Sequence, residues 1–153
     1  RYDVHFAPVV DSTMNLASWF KAKGERLAPG LCLVAGDQTH GVGQHGRWLS
    51  SSQDVKLTVV LENPPNLKGH ALLNCAAAAA VHRTLRELVR DYTAAEIMPN
   101  FGIKLANDVL VEFEGKHLKI SGSLAIGKHD PEMRDIGPPI STYIVGDLDW
   151  MCH

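Results

Sequence analysis

The stretch Gly36-Asp37-Gln38-Thr39-His40-Gly41-Val42-Gly43-Gln44-His45-Gly46-Arg47-Trp48-Leu49-Ser50 decides how this chain is read. It follows an apolar run, residues 31–35, that has the character of a buried strand. Gly41, Gly43 and Gly46 fall within six residues. Glycine lets backbone approach a ligand closely, and successive free N–H groups in such a loop form an anion-binding concavity. Between Gln38 and Ser50 the only formal charge is Arg47, with Gln38, His40, Gln44 and His45 around it. The loop is suited to closing over a phosphate-bearing small molecule. A glycine-rich surface hairpin is the competing explanation and needs no ligand.

Taken literally, Gly41, Gly43 and Gly46 match the dinucleotide pattern G-x-G-x-x-G, and Glu62 sits near the spacing of a ribose-binding acid. That pattern requires a helix opening at the glycines and a parallel strand after it. Only residues 48–54 separate the loop from the next strand-like run, and Ser50, Ser51 and Ser52 interrupt them. A parallel crossover needs about ten residues or more, so the spacing argues against this reading.

Working outward, residues 2–10 are strand-like, ending at Pro8 or shortly after. Asp11, Ser12 and Thr13 then open a helix, because their side-chain oxygens accept the free N–H groups of a first turn. Leu16, Trp19 and Phe20 lie at helical spacing and are expected to face the core, with Gly24 as the stop. Ser12 and Thr13 are also placed to hydrogen-bond an anionic ligand at the helix N-terminus. Pro29-Gly30 turns the chain into the strand before the loop, and residues 55–61 read as the strand after it.

Asn63-Pro64-Pro65 ends that strand, and residues 67–92 read as the longest helix. Its alanine run, residues 76–80, has high helix propensity. Val81, Leu85, Leu88 and Tyr92 form the expected core stripe, with Arg83, Arg86 and Arg90 on the solvated face. Pro99-Asn100-Phe101-Gly102 reads as a turn before a strand at residues 103–105, and residues 109–113 as the next strand. Glu114-Gly115-Lys116 reads as a hairpin turn into a return strand at 117–126. With that hairpin tight, Lys104, Asn107 and Lys119 converge near one end of the sheet. Two lysines close together neutralise charge that develops on phosphate, although edge-strand lysines also serve simply to blunt edges. Residues 128–140 read as a loop and 142–145 as a last strand.

Length and charge bound the rest. A chain of 153 residues with net charge −2 suits one domain with a sizeable core. There is no basic run for nucleic acid and no stretch apolar enough to span a membrane. Cys32, Cys75 and Cys152 are odd in number and widely spaced, as expected of reduced thiols in an intracellular protein, with Cys32 and Cys75 packed in the interior. The eight histidines show no zinc-ligand spacing, so no protein-bound metal is expected. No G-x-S-x-G nucleophile motif is present. The chain starts at Arg1 with neither a signal-peptide pattern nor an initiator methionine, as a trimmed product would.

In order, the chain carries Asp11-Ser12-Thr13-Met14, then Gln38 to Ser50, then Lys104-Leu105-Ala106-Asn107-Asp108-Val109, then Lys119-Ile120-Ser121-Gly122. This set resembles the catalytic domain of biotin protein ligases, within the biotin/lipoate ligase superfamily. The corresponding family patterns are D-S-T-N/M, Q-T-x-G-R-G-R-x-G-R-x-W-x-S, K-W-P-N-D-V and K-I/L-x-G. The resemblance runs from about Val10 to Gly146, and its order and spacing are more specific than any single motif.

The resemblance implies an α+β fold, a mixed and largely antiparallel β-sheet flanked by α-helices. It implies a single catalytic domain over residues 1–153, with neither a DNA-binding domain nor a C-terminal SH3-like domain. It also implies a two-step reaction in which biotin and ATP give biotinyl-5′-AMP, whose acyl group passes to a lysine of a biotin carboxyl-carrier domain. ATP and Mg2+ would be required, the compartment would be the cytoplasm or an organelle, and a homodimer is an option for assembly. By position, Ser12, Thr13, Met14, Gln38, Gly41 and Lys119 would contact biotin. Val42, Gly43, Gln44, His45, Gly46, Arg47, Trp48, Lys104 and Asn107 would line the nucleotide. Lys119, with Lys104, would be catalytic.

The chain departs from the pattern at several points. Val42 and Gln44 stand where the family commonly has arginine, Leu105-Ala106 replaces Trp-Pro, and one residue is missing between Arg47 and Trp48. Gly146-Asp147-Leu148-Asp149 has Asp in place of the final Asn of a Gly-x-Gly-x-Asn strand. Two lost charge-assisted hydrogen bonds, each worth about 1.5–3 kcal/mol, would weaken retention of an adenylate by roughly two to four powers of ten. A leaky ligase, a binding-only relative and a lipoate or octanoate enzyme therefore stand beside the biotin ligase. An octanoyltransferase would need a cysteine nucleophile, for which only Cys152 is a candidate.

Overall fold

The computed structural model describes residues 1–25, 27–43, 46–48, 51, 53–62, 70–92, 99–105, 107–127 and 141–148. In chain order the elements are β1 (Asp3–Val10), α1 (Thr13–Ala22), β2 (Leu31–Gln38), β3 (Gly41–Gly43), β4 (Gly46–Trp48), β5 (Val55–Glu62), α2 (His70–Tyr92), β6 (Asn100–Lys104), β7 (Asp108–Phe113), β8 (Lys116–Gly127) and β9 (Ser141–Leu148). The main sheet has the strand order β1-β2-β5-β9-β8-β7-β6, and β3 pairs with β4 as a separate ribbon. β1 and β2 run parallel, which α1 permits by carrying the chain back between them. Each of the other main-sheet pairings is antiparallel. The fold is the α+β arrangement expected.

Each helix packs on its own part of this sheet. Ser12 caps α1 by accepting from the Asn15 N–H at 3.0 Å. Ala17 of α1 is buried with Leu27, Leu33 and Val60, and Leu16, Phe20 and Leu31 pack around them. Burying a side chain such as Leu33 or Val60 contributes about 1.5–3 kcal/mol. α2 brings Ala78 and Leu85 against Val109 and Ile120, with Val81, Phe101 and Val111 packed beside them. Ala78 is fully buried, so the alanine run lets helix and strands approach closely.

Several expectations change. No helix follows the glycines: β3 and β4 form a hairpin there, and β5 runs antiparallel to β2, which removes the dinucleotide-fold reading. Trp19 is 53% exposed, because the buried stripe of α1 runs through Thr13 and Ala17, with Leu16 and Phe20 flanking it. Leu88 is 48% exposed for the same reason, since the buried residues of α2, among those described, are Leu73, Ala77, Ala78 and Leu85. Asn100, Phe101 and Gly102 belong to strand β6 rather than to a turn, paired with Glu112, Val111 and Leu110. Cys32 and Cys75 are half-buried free thiols, and burial pushes the Cys32 thiol up. Pro8 lies inside β1, which an edge strand tolerates. The expectations for residues 67–69 and 128–140, and for Cys152, lie outside the described residues.

The β7–β8 hairpin forms as expected. Glu114 and Gly115 both have positive φ, 50° and 72°, the conformation of a two-residue turn that matches strand twist. Phe113 therefore pairs directly with Lys116, and the whole register of β8 on β7 follows. A bulge between Val109 and Leu110 then shifts that register, so Leu110 faces Lys119 while Asp108 faces Gly122.

Candidate active site

That shifted register builds the site. A cleft of about 530 Å³ opens between the β3–β4 ribbon, the adjoining ends of β6 and β7, and the middle of β8. Val42, Gly43, Gly46, Arg47 and Trp48 line one side, and Lys104, Leu105, Asn107, Asp108, Lys119, Gly122, Ser123 and Leu124 line the other. Lys104 is on edge strand β6, but Lys119 is on β8, an interior strand, where edge protection cannot explain it.

The Lys119 side chain runs back over Gly122. A Cβ at Gly122 would lie 3.1 Å from both Cε and Nζ of Lys119 and 3.0 Å from Cη2 of Trp48. Only a residue without a side chain leaves Lys119 and Trp48 where they are. The Lys119 ammonium lies 2.8 Å from Asp108 Oδ1 and 4.5 Å from the centroid of the Trp48 ring. Asp108 Oδ1 makes no directional hydrogen bond among the described residues, so its contact with Lys119 is ionic. The ammonium is thus held between a carboxylate and an aromatic face, both of which favour a cation.

Asn107 is clamped to β8 twice: its carbonyl accepts from Ser123 N–H at 2.9 Å, and its Nδ2 donates to Ser123 O at 3.0 Å. The ribbon is anchored at its start, where Thr39 N–H donates to Val10 O at 2.9 Å and His40 N–H to Asp11 O at 2.7 Å. The Arg47 guanidinium donates to Thr39 O, closing the ribbon onto that corner.

Ser12, Thr13 and Gln38 do not line this cleft. They form a buried cluster of their own at the start of α1 and the end of β2. Gln38 Oε1 accepts from Thr13 N–H at 2.7 Å and lies 3.3 Å from the Thr13 hydroxyl, while the Thr58 hydroxyl donates to Thr13 Oγ1 at 2.8 Å. Met14 is partly buried in the first turn of α1. Gly41 joins the two regions: a Cβ there would sit 2.7 Å from Trp48 O and 3.5 Å from Gln38 Nε2. Gln44 and His45 lie outside the described residues.

The sequence reading missed three features. Asp108 and Gly122 stand inside the quoted motifs, but nothing in them signals the bulge that brings both to Lys119. Ser123 follows directly and gave no signal. Lys56 is fully buried in β5, with its ammonium donating to the carbonyls of Gly36 at 3.1 Å, Asp54 at 3.2 Å and Ser51. In a strand otherwise rich in Val, Leu and Thr, a lysine tying β2 to the preceding turn leaves no periodic signature. A second depression, along α2, is lined by His82, Arg83, Arg86, Glu87 and Arg90 and shares no residue with the cleft. Its Arg83 pairs with Glu87 at 2.9 Å, as a solvated helix face does.

A mixed sheet, with a glycine ribbon folded against the two lysine-bearing strands β6 and β8, frames this cleft. The chain belongs to the biotin/lipoate A/B protein ligase family, whose model matches residues 6–129. Among solved structures, it is similar to the biotin protein ligase from Aquifex aeolicus in complex with biotin and ATP, at 25% identity and TM-score 0.65, covering 95% of this chain and 51% of that one. It also shares the fold of the biotin protein ligase from Leishmania major in complex with biotin, at 24% identity and TM-score 0.67, covering 95% of this chain and 55% of that one. The chain therefore spans about half the length of these relatives. No curated protein matches its sequence significantly. Among the described residues, no helix is long and apolar enough to cross a membrane.

Proposed function

We propose that this chain carries the catalytic region of an ATP-dependent biotin protein ligase. The observation behind this reading is the convergence of Lys104, Asn107 and Lys119 with the glycine ribbon on one cleft. In the first step a carboxylate oxygen of biotin attacks the α-phosphorus of ATP, the bond to the β,γ-phosphates breaks, and pyrophosphate leaves. In the second, a lysine amine of a carboxyl-carrier domain attacks the acyl carbon, loses a proton, and AMP departs. Lys119 and Lys104 offset negative charge on the carboxylate and the phosphates, where a fixed cation acts most strongly in a site shielded from water. Asn107 and the ribbon residues 42–48 hold the nucleotide, with Gly43 and Gly46 allowing the backbone to come close.

Ser12, Thr13, Met14, Gln38 and Gly41 are assigned to the biotin end, where the Ser12, Thr13 and Gln38 side chains supply polarity without charge. Mg2+ enters as part of the Mg·ATP substrate. Among the described residues no group of three or more His, Cys, Asp or Glu could hold a metal, and Asp108 is the only acidic residue lining the cleft. The family match spans lipoate as well as biotin enzymes, and Val42 places an apolar side chain in the cleft, so lipoate is the second cargo to test.

The test is an adenylate assay with ATP and Mg2+, run with biotin and lipoate side by side and read by mass spectrometry. Biotinyl-AMP is the expected product. Lipoyl-AMP alone would reassign the cargo. Ligand-dependent thermal stabilisation with no adenylate from either acid would reduce the protein to a binding module.

A further inference from the structure

The glycine ribbon is held differently at its two ends. At the entry, the Thr39 and His40 N–H groups donate to the carbonyls of Val10 and Asp11. At the exit, Ser51 and Asp54 close a turn on themselves. The Asp54 carboxylate accepts from the Ser51 hydroxyl at 2.8 Å and from the Ser51 N–H, and the Asp54 N–H donates to Ser51 O at 3.3 Å. This turn lies beyond both ladders of β5, which begin at Val55 with β9 and at Lys56 with β2. Among the described residues, its hydrogen bonds outside itself come from the Lys56 side chain, which donates to Ser51 O and, at 3.2 Å, to Asp54 O. The same ammonium donates at 3.1 Å to Gly36 O, in the strand that leads into the ribbon. Lys56 is fully buried, and its three N–H donors meet three carbonyls. Burying an ammonium is costly unless its donors are matched, so it is satisfied only while β2 and the turn keep this spacing. It takes over where the backbone ladder between β2 and β5 has ended, at Ala35 and Lys56.

We propose that Lys56 is the positioning residue of the ribbon, joining the strand that enters it to the turn that leaves it and so setting the ribbon's place over the nucleotide. Lys56 does not line the cleft and acts through the backbone that it holds. The inference rests on the nucleotide reading of the cleft and adds to it the residue that keeps the ribbon in its binding position. A ribbon correctly placed in about one molecule in ten binds nucleotide about ten times more weakly, although its own residues are unchanged. Val60 supplies an internal control. It is fully buried on the same strand, in the core with Ala17, Leu27 and Leu33.

The experiment measures Mg·ATP affinity by calorimetry and amide hydrogen exchange by NMR for the unaltered protein, Lys56→Met and Val60→Ala. In the unaltered protein without nucleotide, the Ser51 and Asp54 amides are expected to exchange more slowly than those of residues 41–43 and 46–48, which gain protection when Mg·ATP binds. Lys56→Met is expected to lose the protection of Ser51 and Asp54 and to bind Mg·ATP about tenfold more weakly. Val60→Ala is expected to unfold at a lower temperature with affinity and turn protection retained. Unchanged affinity in Lys56→Met overturns the inference while the nucleotide reading stands. Equal losses in both variants also overturn it, because general loosening is then the cause. If Lys56→Met does not fold, exchange in the unaltered protein decides: Ser51 and Asp54 amides as fast as those of the ribbon overturn the inference, and slower ones support it. An unaltered protein that binds no Mg·ATP removes the nucleotide reading, and this inference with it.

Discussion

Thr13, Gln38 and Thr58 sit buried where α1, β2 and β5 meet, joined through a chain of hydrogen bonds at 2.7–2.8 Å. Around the cleft on the other side of Gly41, Trp48 Nε1 has no hydrogen-bond partner among the described residues, and Lys119 is held by an ion pair and a ring. Both regions are polar, largely buried and built from quoted motifs, yet one is internally complete and the other is not. A complete network rigidifies a fold, whereas an incomplete one is stabilised when something else supplies the missing atoms. Substitutions in the first region should lower stability, and substitutions in the second should lower chemistry while the fold survives.

Lys119→Ala should break this contrast most visibly if it is wrong. Removing a fixed cation from developing charge is expected to reduce adenylate formation by about 10²–10³-fold while the protein still folds. Full adenylation by this variant would mean that the catalytic charge lies elsewhere.

Two glycines sharpen the same comparison. At Gly122 an added Cβ meets only the ends of Lys119 and Trp48 at 3.0–3.1 Å, so the side chains move and the backbone does not. Gly122→Ala should lower adenylation by about 10–100-fold through misplacement of Lys119 while leaving unfolding nearly unchanged. At Gly36 the added Cβ would meet the Pro8 carbonyl oxygen at 2.6 Å, a backbone atom of the adjoining strand. Gly36→Ala should therefore destabilise the protein by about 1–3 kcal/mol in denaturant unfolding.

Thr58→Val keeps the shape of the side chain but removes the donor to Thr13 Oγ1. It should cost about 1–2 kcal/mol of stability, with nucleotide affinity retained by the molecules that fold. A normal midpoint together with lost nucleotide affinity would mean that this cluster supports the nucleotide end as well as the biotin end.

The smallest effect concerns the corner that carries both regions. The Asn15 amide at 2.9 Å, followed by the Ser12 N–H at 2.7 Å, holds the Asp11 carboxyl below the usual carboxylate range. A lowered folded-state value stabilises the protein above the unfolded carboxylate pKa of about 3.9, and that increment disappears as pH falls through the folded value. Asp11 is exposed, so the increment is about a few tenths of a kcal/mol. Asp11→Asn should match the unaltered protein in acid unfolding at low pH and fall slightly behind it near neutrality.

Strand and helix order, the α+β class and the membership of the cleft were largely legible in the chain. Strong local signals carried them: Ser12 as cap, the Glu114-Gly115 turn with two positive φ values, and the spacing of Lys104, Asn107 and Lys119 around that turn. Burial was less legible. Trp19 and Leu88 fit a helical period but lie to one side of the stripe, because which arc of a helix faces the sheet depends on where the sheet is.

Local residue preferences determined where this chain turns, caps and extends, since each such choice is settled within a few neighbouring residues. Tertiary structure alone decided that a bulge after Val109 sets Asp108 against Lys119, and that Trp48, far away in the chain, covers the same lysine. It also decided which polar side chains end with partners and which do not. Hydrogen-bond satisfaction is a property of atoms brought together across the sheet, and no stretch of sequence contains that information by itself.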